Sequence, residues 1–190
     1  MDTIKQVWQR IEAAGQLHAS PTSPPQFAPG ATEDEIHQLE NLLEIALPQD
    51  FQASYRLHNG GFTMELVTEM DMLRLDQIAE WWRILRDLLT DEGWANQEPY
   101  YFSEEVVKRG GWNVGPVQPV WWHRKWVPIA YEYAGNLTCL DLAPAPGGTV
   151  GQIIDWDHEC GPSRVLFPGF QQLLEVFADQ LQVATNEQAV

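Results

Sequence analysis

The sequence predicts an α+β fold: helical patterns come first, a run of short β-favouring segments follows, and one helical pattern closes the chain. Two further observations support that class. The separators between the β-favouring segments are too short for a parallel crossover, which needs about a dozen residues or more. The length of 190 residues suits a single domain that buries enough surface to need no disulfide.

Ile4, Val7, Trp8 and Ile11 recur at helical spacing and predict a short amphipathic helix. The stretch S-P-T-S-P-P-Q-F-A-P-G then reads as an extended strap, because proline excludes regular structure. Thr32 and Glu35 predict a capping box, in which hydroxyl and carboxylate each satisfy an orphan backbone N–H. Ile36, Leu39, Leu42 and Leu43 follow on one helical face. Pro48 is expected in the first turn of the next helix, which carries Phe51 and Tyr55. That helix is expected to stop in left-handed backbone at His58-Asn59-Gly60-Gly61. Residues 65–70 read as a strand, and Ile78, Trp81, Trp82, Leu85, Leu88 and Leu89 as an amphipathic helix ending near Gly93. Residues 93–118 read as loop, with a helical turn near Ser103. Strands are predicted at Trp126–Tyr133, Leu137–Leu142, Val150–Trp156 and Val165–Phe167, and a closing helix through Phe170, Leu173, Leu174, Phe177 and Leu181.

Charge narrows the function classes. Eleven basic residues face 27 acidic ones, for a net charge of −16. Nucleic acid and anionic membrane are excluded as expected partners, because binding to either draws on Lys and Arg neutralising phosphate. A basic protein would instead be attracted and steered into encounter. Cys139 and Cys160 show neither metal-ligand spacing nor a disulfide framework. The N-terminal residues lack a signal-peptide pattern, and no apolar run reaches the ~20 residues of a membrane span. A cytoplasmic, reducing location is expected, with no cofactor.

Catalytic signatures are missing: the sequence has no G-x-S-x-G elbow, phosphate-binding glycine loop or H-E-x-x-H helix. Asp155, Asp157 and His158 could ligate a metal or act as acid and base. Strand alternation gives the simpler account, with both aspartates projecting together to solvent and Trp156 inward. A histidine at position 58 suits a helix C-terminus, where the dipole favours it. Trp121, Trp122, His123, Arg124 and Lys125 read either as an exposed aromatic–basic hot spot or as an entry into the first long strand. Trp81 and Trp82 read as core, and Cys139 as a small buried hydrophobe.

In order and spacing, P-G-A-T-E-D-E-I-H-Q-L-E and L-P-Q-D-F-Q-A-S-Y-R-L-H-N-G-G resemble the opening of the SUKH superfamily. So do V-W-W-H-R-K-W-V-P-I-A, N-L-T-C-L-D-L-A-P-A-P-G-G-T-V-G-Q-I-I and the D-H-E that precede the last helix. The nearest branch is named for the yeast cell-wall assembly regulator, Smi/Knr type, and the resemblance runs from Pro29 to Leu181. Tyr131-Glu132-Tyr133-Ala134 departs from the branch's more acidic, glycine-rich turn. The resemblance implies a curved, mainly antiparallel sheet of about four to six strands flanked by helices. It divides the chain into a helix and strap over 1–28, which look like a private extension, the domain proper over 29–183, and a flexible tail over 184–190. It also implies that Pro48, Asn59, Gly60, Trp126, Pro128, Asp141 and Gly151 define the fold.

Bacterial members of this superfamily neutralise polymorphic toxins, and a fungal relative scaffolds cell-wall and stress signalling; neither role is catalytic. The leading expectation is therefore an immunity-type, non-enzymatic module that binds another protein, such as a basic toxin domain. Its contacts are expected at Trp121, Trp122, Asp155, Asp157, His158 and Glu159. A regulatory scaffold is the alternative, and a small-ligand-binding protein or metal-dependent enzyme centred on Asp157 and His158 is a further one.

Overall fold

The computed structural model describes residues 3–18, 27–64, 67, 70–90 and 115–188. The helical turn expected near Ser103 and most of the predicted strap lie outside these residues. The elements in chain order are α1 (Ile4–His18), α2 (Glu33–Leu43), α3 (Gln49–Leu57), β1 (Asp71–Met72) and α4 (Leu75–Thr90). They continue with β2 (Trp126–Tyr131), β3 (Leu137–Asp141), β4 (Gln152–Asp157), β5 (Gly161–Phe167) and α5 (Phe170–Gln188). The five strands form one antiparallel sheet in the order β1-β2-β3-β4-β5. This is the predicted α+β meander.

Several local expectations change. Pro48 has φ −57° and ψ 146°, so it caps α3 from outside the first turn. α3 ends on His58 in extended backbone, and the positive φ angles come later, at Gly60 and Gly61. The left-handed helix end belongs instead to Glu44 after α2, at φ 55°. Most of the strand expected at 65–70 lies outside the described residues; β1 covers Asp71–Met72, with a bridge from Thr63 to Asp71. β5 begins at Gly161, four residues before the predicted Val165. Residues 184–188, expected as flexible tail, continue helix α5.

The predicted capping box is present: Glu35 N–H donates to Thr32 Oγ1 at 3.2 Å, and Thr32 N–H donates to Glu35 Oε2 at 2.7 Å. Pro128 has no N–H to give a ladder and is confined to edges or bulges. The register of β2 against β3 accordingly shifts between Pro128 and Ala130. The intervening Ile129 turns its carbonyl to Leu73 N–H at 2.8 Å, which seats the start of α4 on the sheet.

A single apolar cluster joins the helices to the sheet, with Trp8, Trp126 and Trp156 all fully buried. Each such ring removes ~150–250 Å² from water. α1 is part of this cluster: Ile4, Val7, Trp8 and Ile11 are buried, and the helix packs on α3 and α5. Trp8 Nε1 donates to Ser54 Oγ at 2.8 Å. Half-buried His58 ties the same helix down, with Nε2 2.7 Å from Glu12 Oε1 and Nδ1 3.1 Å from Ala28 O.

Candidate functional site

Two hairpin turns meet at one end of the sheet. Between β2 and β3, Gly135 N–H closes onto Glu132 O at 3.0 Å. Between β4 and β5, Asp157 Oδ1 accepts the N–H groups of Glu159 and Cys160, both at 2.8 Å. Asn136 joins the two turns. Its Nδ2 donates to the Glu132 carboxylate, and its Oδ1 accepts His158 N–H at 3.2 Å with His158 Nδ1 3.0 Å away. From the flank, Trp121 Nε1 donates to His158 O at 3.1 Å, while Trp121 O accepts Trp156 Nε1 at 2.6 Å.

Across this end runs an open cleft of about 500 Å³. Among the described residues, Glu132, Asp155 and Asp157 supply carboxylates to its lining and Arg164 a guanidinium, with Met70, Asn136 and Ser163 beside them. Thr138 and Asp155 are register partners, so strand alternation carries their side chains to the same face. Asp155 Oδ2 accepts Ser163 Oγ at 2.9 Å and lies 3.4 Å from Arg164 Nε. Three acids against one base leave the cleft negative. At the same hairpin end but outside that lining, Tyr133 is 90% exposed and meets Tyr131 at 5.7 Å, and Glu159 has a side chain 77% exposed.

The expected contact residues divide sharply. Trp121, Asp155, Asp157, His158 and Glu159 are brought together here. Trp122 is not: it is 3% exposed, edge-on to Trp126 at 5.7 Å and to Trp156 at 5.6 Å. Its place is in the core, because the chain turns inward at 122 to start β2. Asp155 and Asp157 do project together while Trp156 is buried. Sequence reasoning missed Glu132 and Asn136, which lie in the β2–β3 hairpin, and Ser163 and Arg164, which lie on β5 across from Asp155. The departure at Tyr131-Glu132-Tyr133-Ala134 pointed to Glu132 alone.

The residues expected to define the fold hold the frame behind the cleft. Buried Asp141 accepts Trp126 Nε1 at 3.0 Å, Ala143 N–H at 2.9 Å and Gln152 Nε2 at 2.9 Å. Gly151 N–H reaches Asp141 O at 2.8 Å. Burial pushes the Asp141 carboxyl above the usual range, against the pull of those three donors. Asn59 Oδ1 accepts Leu75 N–H at 3.0 Å at the start of α4. Gly60 has φ +56°, and a Cβ there would stand 2.2 Å from Leu73 O. Burial lowers the His123 pKa, Asp141 opposing it, and its Nδ1 accepts Lys125 N–H at 3.1 Å.

Chemically, the cleft can receive a cationic group. Its histidine neighbour is committed to Asn136, and among the described residues no group of three or more His, Cys, Asp or Glu side chains could hold a metal. No described helix is long and apolar enough to cross a membrane.

An antiparallel meander packed on helices, with its hairpin turns clasped at one end, is an α+β domain of the SUKH kind. The model of the SMI1 / KNR4 family (SUKH-1) matches residues 30–176, and the chain belongs to that family. It is 28% identical over 166 residues to the cell wall biosynthesis/cell cycle regulator smi1 of Schizosaccharomyces pombe, covering 83% of this chain and 32% of that protein. It is 24% identical over 201 residues to the cell wall assembly regulator SMI1 of Saccharomyces cerevisiae, covering 92% and 40%. To the glucan synthesis regulatory protein of Neurospora crassa it is 22% identical over 200 residues, covering 92% and 37%. The chain thus spans between 32% and 40% of the length of these three relatives.

Proposed function

We propose that this chain acts as a non-catalytic protein-binding module of the regulatory-scaffold kind, engaging basic partner segments through the hairpin end of its sheet. The observation that carries this reading is the surface itself. Three carboxylates line an open cleft, exposed Tyr133 and Glu159 lie at the same hairpin end, and the chain carries a net charge of −16. Aromatic anchors beside charged groups are what interfaces draw their affinity from. The relatives support regulation over toxin immunity, since they are named as regulators of cell-wall assembly or glucan synthesis. Immunity remains the second reading, because the same acidity fits a basic toxin domain.

Affinity capture at low and high salt tests both readings, using the wild type and an Asp155→Asn/Glu159→Lys variant. A scaffold retains a set of partners with basic segments, released by salt and reduced by the substitutions. One basic protein held stoichiometrically would instead establish immunity. Capture indifferent to salt and to both substitutions would remove the hairpin end as the binding surface.

A further inference from the structure

A second recognition surface lies on the helices. A groove of about 290 Å³ runs between α2 and α4. Its apolar lining comes from half-buried Leu42 and Ala79 together with Leu39 and Leu75, and no element of the described chain fills it. The lining positions on α2 (35, 38, 39 and 42) follow the i, i+3, i+4, i+7 spacing of one helical stripe. On α4 the positions 75, 76, 79 and 83 (i, i+1, i+4 and i+8) also fall on one side of the helix. Asn59 ties the two helix starts together, its N–H donating to Pro29 O at 3.1 Å just before α2 and its Oδ1 accepting Leu75 N–H at 3.0 Å, so the two helices begin at the same end of the groove.

That shared polarity makes the groove asymmetric. Glu35 and Asp76 stand at the end where both helices start, with Arg74 3.5 Å from Asp76 offsetting part of their charge, and Arg83 stands at the other, exposed and in none of the ion pairs among the described residues. The distance from position 35 to position 42 is about 10 Å at 1.5 Å per residue, close to two helical turns. An α-helix lying antiparallel to α2 and α4 would meet both helix dipoles head to tail. Its basic C-terminal turn would face Glu35 and Asp76, and its acidic N-terminal turn would face Arg83.

We propose that the α2–α4 groove docks an amphipathic helix of a partner protein, antiparallel to both helices, with apolar anchors at i, i+3 or i+4, and i+7. This mode seats an apolar stripe in a preformed groove and reads orientation from the charged ends. The groove is formed by other elements than the hairpin cleft, so the chain presents two surfaces of different chemistry. The first takes basic segments and the second takes a helix.

The test uses the full chain and two blocked peptides of about 15 residues, the length at which an isolated helix begins to hold. Both carry leucines at the anchor spacing. One has Glu in its first turn and Lys in its last; the other has these charges exchanged. Fluorescence anisotropy should show saturable binding of the first peptide and weaker binding of the second. Ala79→Trp, which fills the groove from a half-buried position, should weaken the first peptide by roughly tenfold or more. Arg83→Glu should weaken the first peptide and strengthen the second, narrowing the preference, and that gain is one that neither misfolding nor the lower intrinsic helicity of the second peptide can produce. Asp155→Asn/Glu159→Lys should leave both affinities unchanged, so failure here is separable from failure at the cleft. Equal binding of the two peptides, binding indifferent to Ala79→Trp, or no saturable binding would overturn the proposal. A wild-type dimer that Ala79→Trp dissociates would overturn it too, by assigning the groove to a second copy of this chain.

Discussion

Asp141 shows how much one side chain can hold. Its carboxylate is fully buried, and its three donors come from β2, from the turn after β3 and from β4. Asp141→Ala leaves those donors unsatisfied and should cost about 3 kcal/mol in urea unfolding; a loss under about 1 kcal/mol would show that water replaces the carboxylate. The pH dependence has a definite sign. Burial raises the folded pKa above its unfolded value, so the contribution of Asp141 is complete below the unfolded pKa and declines as pH rises through the folded one. The stability of wild type minus that of Asp141→Asn should therefore shrink between acidic and neutral pH, and growth would mean that the donors outweigh burial. Gly60 is constrained differently. Gly60→Ala imposes a left-handed φ and a clash with Leu73 O, and should cost more than about 2 kcal/mol. The two thiols should separate by access. Burial holds Cys139 well above the usual thiol range and raises half-exposed Cys160 more mildly, with Asp157 and Glu159 adding to it. Iodoacetamide should label Cys160 slowly and Cys139 only after unfolding.

At the scale of elements, α1 is the clearest case of a helix held by distant residues. The residues before Pro29 depart from the family pattern, and the family match begins at residue 30. Yet α1 covers α3 and α5 with five buried apolar side chains, and Arg10 pairs with Asp179 on α5. Trp8→Ala should destabilise the fold by about 3–5 kcal/mol, through the cavity and through the lost bond to Ser54. The exposed Lys5→Ala control on the same helix should stay within about 0.5 kcal/mol. If both substitutions are silent, α1 is an appendage after all. The helical pattern of residues 4–11 could be read from periodicity, because a stripe of apolar residues needs a surface to cover. The surface itself, Ser54 and the flanks of α3 and α5, comes from residues more than forty positions away.

At the scale of the whole molecule, charge is the governing quantity. A net −16 makes the compact state repel itself, and salt screens that repulsion over about 8–10 Å. Thermal unfolding should move to higher temperature as sodium chloride rises from ~20 to ~200 mM, where the Debye length contracts. A fall would mean that ion pairs such as Arg56–Glu33 and Arg10–Asp179 outweigh the repulsion. Partner binding at the cleft should weaken over the same range, so stability and affinity are expected to move in opposite directions.

Local chemistry was legible in the chain. The Thr32–Glu35 capping box, the helical stripes, the antiparallel meander and the shared face of Asp155 and Asp157 each depend on residues within a few positions of one another. Sequence alone therefore determined the class of fold, its acidity and the family resemblance. The tertiary structure decided what distant residues do together. It buried Trp122 while leaving Trp121 at the flank, and it used Asn136 to clasp two hairpins. It brought Arg56 O within 1.9 Å of where a side chain at Gly30 would start. It also set α2 beside α4 with both helices beginning at one end. None of these is written in a local pattern, because each follows from how buried surfaces from separate stretches of chain fit against one another.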